Sequence, residues 1–289
     1  MSGFSNTVIS SAAALTLIGL GGGIAAAKAK YVIFDPPGSV GTFAYSINDS
    51  GAIAGDYDDG TAVHGFVRAS DGTITSFDPP GSVQTNGFDI NSGGAVTGIW
   101  SDGTTFHGFV RAADGTITSF DVPFSLSTTG WRINAGGAVT GYHDDGFGLS
   151  GFVRAADGTF TDFDPRNAEE TFPYGINRSG TIAGFYYRET GGPHGFVRAP
   201  DGKITTFNAP KSHDTETLAI NDKGVIIGDY TMKDSFVSHG FLRATDGTLT
   251  TFDPPGSTFT APESINRSGV IAGFYVDSND IGHGFVRSP

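Results

Sequence analysis

Residues 47–55 read INDSGAIAG and residues 64–78 read HGFVRASDGTITSFD. Together they form one copy of a motif that returns about every 43 residues through the 289-residue chain. The Ile-Asn steps of the successive copies begin at Ile47, Ile90, Ile133, Ile176, Ile220 and Ile265. A fixed period in this range indicates a repeat architecture, in which each copy is one structural unit that packs against its neighbours.

Each copy contains four short strand-like runs that are separated by turn signals. In the first copy these runs are residues 43–47, 52–57, 65–69 and 73–77, and they are rich in Val, Ile, Phe, Tyr and Thr. The intervening Asn-Asp-Ser-Gly and Ser-Asp-Gly-Thr segments are typical of tight hairpin turns. Four antiparallel strands repeated six times predict an all-β fold, a six-bladed β-propeller of four-stranded blades. An open array of stacked hairpins is the alternative.

The sequence at the start of the repeat region supplies the strand that the last copy lacks. The sixth copy ends at Gly284–Arg287, which corresponds to a third strand, and no fourth strand follows it. Residues 31–35, YVIFD, read as an isolated fourth strand. We expect this N-terminal strand to pair into the last blade and close the ring, which would remove exposed strand edges. Residues 31–289 are therefore predicted to form a single domain.

Composition excludes several classes of function. The formal net charge of −13 disfavours nucleic acid and anionic lipid, because both recruit basic surfaces. The chain has no cysteine, which excludes disulfides, a thiolate nucleophile and cysteine-bound metals. No cofactor is predicted from any motif. Calcium is the one ion that the sequence suggests, through oxygen ligands in acidic loop segments such as Asp58-Asp59, Asp144-Asp145 and residues 277–280.

Residues 1–30 do not belong to the repeat and resemble a secretory signal peptide. An apolar run from Val8 to Ala27 ends in small residues suited to cleavage, although residues 1–10 contain no Lys or Arg. We therefore expect bacterial export and a secreted or cell-surface protein. The alternative is a retained N-terminal anchor, which is the only route by which a membrane would be a partner.

Histidines recur immediately before the Gly-Phe step of the motif. They are His64, His107, His194, His239 and His283, with Ser150 in the third copy. A ring of imidazoles could bind a metal or an acidic ligand. The favoured interpretation is structural, with each imidazole hydrogen-bonded to the Asp of a Phe-Asp step, because a feature present in nearly every copy belongs to the scaffold.

Positions that vary between copies point to a binding site. Loop lengths vary between the second and third strands, so we expect the site on the face that carries these loops and the Asp-Pro-Pro-Gly connections. The candidate ligand-binding residues lie just before Ile-Asn or just after the second strand, and are Trp131, Arg132, Trp100, His143, Asp89, Glu263 and Tyr187. Aromatic rings beside charged groups are typical of carbohydrate sites. Packing between blades is the structural alternative.

The motif resembles the bacterial HAF-type extracellular repeat, in which a His-Ala-Phe step closes a similar unit. The resemblance covers residues 31–289, and Gly replaces Ala in every copy of this chain. It implies an extracellular location and a propeller-like fold, and it supplies no catalytic residue.

Three functions remain open from the sequence. The first is a secreted or cell-surface binding module for carbohydrate or another extracellular ligand. The second is an enzyme that hydrolyses or eliminates a polysaccharide, with acid–base groups among Asp89, Arg132, His143 and Glu263. The third is a structural or assembly protein. The oligomeric state and the ligand's identity are not predicted.

Overall fold

Every regular element in the described part of the chain is a β-strand. The computed structural model describes residues 32–233, 235 and 237–289. Within these residues there is no helix long and apolar enough to cross a membrane. The predicted export segment, residues 1–30, lies outside the described residues. Asp35–Pro289 forms one compact unit, and of the other unit, Met1–Phe34, only residues 32–34 are described and they lie in no strand.

The strands follow the sequence period closely. The first and second repeats contain β1 (Gly41–Ile47), β2 (Ile53–Asp58), β3 (Val63–Arg68), β4 (Ile74–Phe77), β5 (Gln84–Ile90), β6 (Val96–Ser101), β7 (Phe106–Arg111) and β8 (Ile117–Phe120). The third and fourth contain β9 (Ser127–Ile133), β10 (Val139–Asp144), β11 (Leu149–Arg154), β12 (Phe160–Phe163), β13 (Glu170–Ile176), β14 (Ile182–Tyr187), β15 (His194–Arg198) and β16 (Ile204–Phe207). The fifth and sixth contain β17 (Ser212–Ile220), β18 (Ile226–Met232), β19 (Ser238–Arg243), β20 (Leu249–Phe252), β21 (Ser257–Ile265), β22 (Ile271–Asp277) and β23 (Gly282–Arg287).

Each of the first five repeats is a four-stranded antiparallel sheet in sequence order, and the described residues of the sixth form three strands, β21-β22-β23. Single parallel bridges, Val63 to Gln84 and Leu149 to Glu170, link two pairs of neighbouring repeats. The predicted all-β class is confirmed. The described residues 32–35 form no strand, so closure of the ring by residues 31–35 stays a prediction.

The hydrophobic core is divided among the contacts between successive repeats. Between the first two repeats, for example, Phe77 packs with Val96 and Phe109, and both Val96 and Phe109 are fully buried. Equivalent clusters of Phe, Val, Ile and Ala join the next three pairs of repeats. No repeat therefore buries its apolar face alone.

The Asn of the Ile-Asn step ties each repeat to the next. The side-chain amide of Asn48 donates to the carbonyl oxygen of Asn91 at 3.0 Å, and Asn91 donates in turn to the carbonyl oxygen of Asn134 at 3.0 Å. The same bond continues through the fourth, fifth and sixth repeats. The amide oxygen of each Asn also accepts backbone N–H groups of its own turn, as Asn91 does from Gly93 and Ala95. The repeated Asn is therefore a structural residue.

The repeated Arg is structural as well. The Arg111 guanidinium lies 5.1 Å from the ring centroid of Phe77, which belongs to the preceding repeat. Arg154, Arg198, Arg243 and Arg287 make the same cation–π contact with the corresponding Phe of the repeat before them. A methyl group added to Gly65 would lie 2.6 Å from the Phe77 ring, so the packing of this Phe requires Gly at the Gly-Phe step.

Candidate ligand-binding channel

A β-bulge interrupts the first strand of every repeat at the same position. In β5 the pairing with β6 shifts between Gly87 and Asp89, so that Phe88 is the unpaired residue. The unpaired residues of the six bulges are Tyr45, Phe88, Trp131, Tyr174, Leu218 and Glu263. Bulges redirect a side chain out of the regular alternation. This position is also one of the two rows of the motif at which the sequence differs from repeat to repeat.

The bulged residues of the first four repeats form a continuous aromatic arc. Ring centroids are 5.7 Å apart for Tyr45 and Phe88, 4.9 Å for Phe88 and Trp131, and 5.4 Å for Trp131 and Tyr174. Burial and the neighbouring Asp56 raise the pKa of Tyr45 to about 12, so this phenol remains a hydrogen-bond donor at neutral pH. The arc presents an apolar wall with hydroxyl groups at intervals.

A cavity of about 470 Å³ opens between Tyr45 and Phe88 of this arc and the bulged residues of the last two repeats, Leu218 and Glu263. We call this space the channel, or the channel cavity. It is lined by the ends of five inner strands, where Tyr45, Phe88, Asp89, Arg132, Leu218 and Glu263 reach it. The cavity lies where these strands lead into the Asn-x-x-Gly turns. That end is opposite to the face that carries the variable loops, where the sequence analysis expected the site. The position of the cavity follows from the bulges and not from the differences in loop length.

The three charged candidates Asp89, Arg132 and Glu263 line this one cavity, but they differ in how they are bonded. The Asp89 carboxylate accepts the Ser46 hydroxyl at 2.7 Å and the Ile133 amide at 2.9 Å, so it ties three repeats together. The Arg132 guanidinium lies 5.2 Å from the Trp131 ring, and its Nη1 donates to the Trp131 carbonyl oxygen at 3.1 Å. Asp89 is therefore engaged structurally, whereas Arg132 retains unused donors.

A second group of carboxyls lies further along the inner strands of the fifth repeat. Glu216 in β17 is directly opposite Asp229 in β18, and the Ser238 hydroxyl donates to Asp229 at 2.9 Å. Burial, together with the charges of Glu216, Glu263 and Asp214, raises the pKa of Asp229 to about 7. Burial and Asp214 also raise the pKa of Glu216. With Glu263, which lines the cavity and whose charge also reaches Asp229, these carboxyls form one acidic wall.

Tyr187 lies beside this acidic wall and does not line the cavity. Its ring is 6.0 Å from Phe172 and 5.9 Å from Phe185, and burial together with Glu216, Glu170 and Asp214 raises its pKa. Tyr187 thus extends the aromatic surface toward the face of the variable loops.

Trp100 and the repeated histidines lie away from the channel. Trp100 is on the second strand of its repeat, and the histidines are on the third strands. Trp100 stacks on His107 with centroids 4.6 Å apart, and a Tyr stacks on the repeated histidine in the four other repeats that carry one. The expected bond to the Phe-Asp step is present, with His64 to Asp78 at 2.7 Å, and Asn208 replaces the Asp for His194. These contacts favour the structural interpretation of Trp100 and the histidines.

His143 occupies the position of those stacked aromatic residues in the third repeat. It faces Ser150 in the pairing of β10 with β11, and it is only 6% exposed. Neither ring nitrogen has a hydrogen-bond partner among the described residues, and Nε2 lies 3.7 Å from Asp162. His143 is therefore not brought together with Asp89, Arg132 and Glu263, which removes it from the proposed acid–base set.

Restoring the consensus pair in the third repeat is expected to stabilise the protein. His143→Tyr combined with Ser150→His recreates the aromatic–histidine stack and lets the new phenol reach Asp162. The gain should be about 1–2 kcal/mol, since two unpaired buried ring nitrogens are removed. Urea denaturation measures it, with Ser150→His alone as the control that lacks the aromatic partner. A double variant no more stable than the parent would show that His143 is well accommodated.

The acidic loop segments serve as turn formers. The Asp59 carboxylate accepts the amides of Thr61 and Ala62 at 2.7 and 2.9 Å, and Asp102 accepts those of Thr104 and Thr105. Bonds to Thr104 and Thr105 lower the pKa of Asp102 to about 2. No group of three or more His, Asp or Glu side chains among the described residues is placed to hold a metal ion. The calcium prediction therefore gains no support from these loops.

Comparison with known proteins identifies the fold class. No protein-family model matches the chain, and no curated protein sequence matches it. Similar structures include virginiamycin B lyase from Staphylococcus aureus (15% identity, TM-score 0.54, 84% of this chain and 83% of that one). The β-propeller domain of the Trilobed protease from Pyrococcus furiosus is also similar (8% identity, TM-score 0.58, 86% and 78%). A prolyl endopeptidase is matched over 83% of this chain and 40% of its own (13% identity, TM-score 0.60).

These likenesses show a β-propeller fold, and at such low identity they show the fold alone. The neighbours include a lyase and peptidases. What this chain binds must be argued from its own channel.

Proposed function

We propose that this protein is a binding module whose channel cavity holds an extracellular ligand, and that the ligand is a carbohydrate. The observation that carries the proposal is the convergence of the bulged residues on one cavity. The repeats have nearly the same scaffold, yet the bulge carries a different side chain in most of them, and four of the six bulged residues line the cavity. Variation at a lining position on a repeated scaffold is typical of a recognition site.

The lining matches the chemistry of a sugar. Tyr45 and Phe88 offer ring faces on which the apolar face of a pyranose can stack, and Arg132 and Glu263 offer donors and acceptors for hydroxyls. Trp131 does not line the cavity itself, but its ring packs against the lining residues Phe88 and Arg132.

Removing the centre of the aromatic arc tests this proposal. Trp131→Ala should weaken oligosaccharide binding about tenfold, because it removes the ring that holds the lining residues Phe88 and Arg132 in place. The measurement is a thermal-shift screen of the full chain against oligosaccharides, with and without calcium, followed by titration of the hits. Phe124→Ala is the matched control, since Phe124 is 99% exposed on a distant connection. Equal binding by Trp131→Ala and the parent would place the site elsewhere.

A second candidate function is an enzyme that hydrolyses or eliminates a polysaccharide at the same channel. The observation that favours it is the Glu216–Asp229 pair, since a carboxyl with a pKa of about 7 can give and take a proton at neutral pH. Asp89 is held by Ser46 and Ile133 and His143 is buried elsewhere, so the acid–base set expected from the sequence is not assembled. Product release from a bound polysaccharide, lost in Glu216→Gln, would favour the enzyme.

We further propose that the six repeats are six blades of a ring closed by residues 31–35. The last repeat exposes apolar side chains, with Val286 73% and Phe274 41% exposed, and Phe43 of the first repeat is 56% exposed. At the Phe274 position, Phe185 of the fourth repeat is 6% exposed. Pairing of residues 31–35 beside β23 would supply the fourth strand and bring these surfaces together.

Export fits the same proposal. The HAF-type resemblance and the signal-like residues 1–30 both support a secreted or cell-surface protein, where a carbohydrate ligand would be met. Mass spectrometry of the protein recovered from the medium of an expressing bacterium tests this, and a chain kept in the cytoplasm with residues 1–30 intact would contradict it.

A further inference from the structure

We infer that the ligand of the channel cavity is dipolar, with an anionic group bound by Arg132 and a cationic group bound by Glu263. The inference rests on the proposed function, because it names the chemical class of ligand for the same cavity. Sugars that carry both an amino group and a carboxylate have this chemistry, and so do amino acids and short peptides.

Arg132 and Glu263 occupy different walls of the cavity. Arg132 is at the end of β9 in the third repeat and Glu263 is in the bulge of β21 in the sixth, and both line the same 470 Å³ space. Among the described residues every ion pair within 4.0 Å joins a histidine to an aspartate, and neither Arg132 nor Glu263 takes part in one. Two opposite charges thus face one cavity without neutralising each other.

Arg132 is prepared to receive an anion. Its guanidinium is held by the Trp131 ring and by one hydrogen bond to the Trp131 carbonyl oxygen, so the remaining N–H groups are fixed in direction and not used. Asp89 accepts hydrogen bonds from Ser46 and Ile133 of other repeats and forms no ion pair with Arg132 within 4.0 Å. A planar, fixed fork of donors suits a carboxylate or a similar oxyanion.

Glu263 stands at the acidic side of the channel. Its charge is close enough to Asp229 and Tyr174 to raise the pKa of both groups, and Glu216 adds to the same field. No Lys or Arg is ion-paired with these carboxyls among the residues described. A cationic group at this wall would therefore gain from several negative charges, and the aromatic rings opposite would contribute cation–π attraction.

A ligand with one charge alone fits less well. A dianion would have one favourable contact at Arg132 and would face the carboxyls on the other wall. A dication would gain at Glu263 but would approach the guanidinium. A ligand carrying both charges, separated by the width of the cavity, satisfies both walls and leaves the aromatic arc free to cover its apolar middle.

Two series of probes test the inference with the full chain. The first is linear α,ω-amino acids from glycine to 8-aminooctanoate, with adipate and 1,5-diaminopentane as single-sign controls. The second is de-N-acetylated hyaluronan oligosaccharides, which alternate an amino sugar with a uronate, with neutral cello-oligosaccharides as the control. We expect binding in at least one zwitterionic series, at least tenfold tighter than its controls. The series that binds distinguishes an amino acid-like source from a sugar source.

Charge exchange gives the sharper result. Arg132→Gln and Glu263→Gln should each weaken zwitterion binding about tenfold, and Arg166→Gln, at an exposed loop, should not. The double variant Arg132→Glu with Glu263→Arg should recover affinity to within about threefold of the parent, because a zwitterion can turn around in the cavity. Melting temperatures of all variants check that the fold is retained.

The failures of the two proposals are distinguishable. Neutral oligosaccharides that bind in a Trp131-dependent manner, with no effect of either charge variant, would keep the proposed function and overturn the dipolar ligand. No binding in either zwitterionic series would overturn the dipolar ligand whatever the neutral sugars do. Zwitterion binding that survives Trp131→Ala but not Arg132→Gln would keep the charge recognition and overturn the carbohydrate-stacking site.

Discussion

Replacing Gly98 with Ala is expected to destabilise the protein by at least about 3 kcal/mol, which is large for one methyl group. Gly98 is buried in β6, directly opposite Gly87 in β5. A Cβ atom there would overlap the carbonyl oxygen of Asn86 and would lie 3.0 Å from the Phe109 ring. The obstacle is backbone, so β5 and β6 would have to separate. The bulge that directs Phe88 to the channel would be lost with their pairing.

Urea denaturation of the two variants Gly98→Ala and Gly282→Ala measures the effect. At Gly282 no heavy atom lies within 4 Å of an added Cβ, so this matched substitution should be neutral or slightly stabilising. The corresponding glycines Gly55, Gly141, Gly184, Gly228 and Gly273 have the same close approach to a carbonyl oxygen. If Gly98→Ala unfolded within about 1 kcal/mol of the parent, the account of the repeated glycine would be wrong.

The contribution of Asp229 to the stability of the protein should fall as the pH rises from about 4 to 7. The carboxyl has an ordinary pKa of 3.8, and burial with the nearby Glu216, Glu263 and Asp214 charges raises it to about 7 in the folded state. Between these values the folded protein keeps a proton that the unfolded chain releases. Stability is therefore highest below pH 4 for this group and is lost as the pH rises through 7.

The expected contribution of Asp229 is on the order of 3 kcal/mol between pH 4 and 8. Asp229→Asn should flatten the pH dependence and raise stability at pH 8, because an amide can still accept the Ser238 hydroxyl without carrying charge. Denaturant melts at several pH values give the slopes, and Asp49→Asn, in an exposed turn, controls for the removal of one negative charge. Parallel slopes for the parent and Asp229→Asn would show that this carboxyl is ionised throughout.

The sequence was sufficient to predict the strands and the order in which they pair. The period of the Ile-Asn and Gly-Phe steps placed all 23 described strands within repeats, because hairpin turns and alternating residues are local signals. Closure of the ring depends on pairing between distant segments, and the described residues 32–35 do not form the expected strand. Local sequence patterns carry less information about pairing between distant segments than about hairpins between neighbouring strands.

Only some of the residues that form the proposed site were predicted from the sequence. The row before Ile-Asn varies between repeats and contains the bulged residues, but nothing in the sequence marks a bulge, so Tyr45, Phe88 and Tyr174 were not predicted. Trp100 and His143 were predicted from the variable row after the second strand, and they occupy a packing position on the second strand of their repeats. Asp89 lines the cavity, but its carboxylate is engaged by Ser46 and Ile133. Variation between repeats thus marks packing positions as well as lining positions.

The most direct test of the channel as a binding site uses Trp131 as its own reporter. The chain has two tryptophans, so Trp100→Phe, which keeps an aromatic ring on His107, leaves Trp131 as the only indole. A ligand that raises the melting temperature of this variant should also change the intensity or the wavelength of Trp131 emission, with the same dissociation constant. A ligand that stabilises the protein while Trp131 emission stays unchanged through saturation would contradict the channel site.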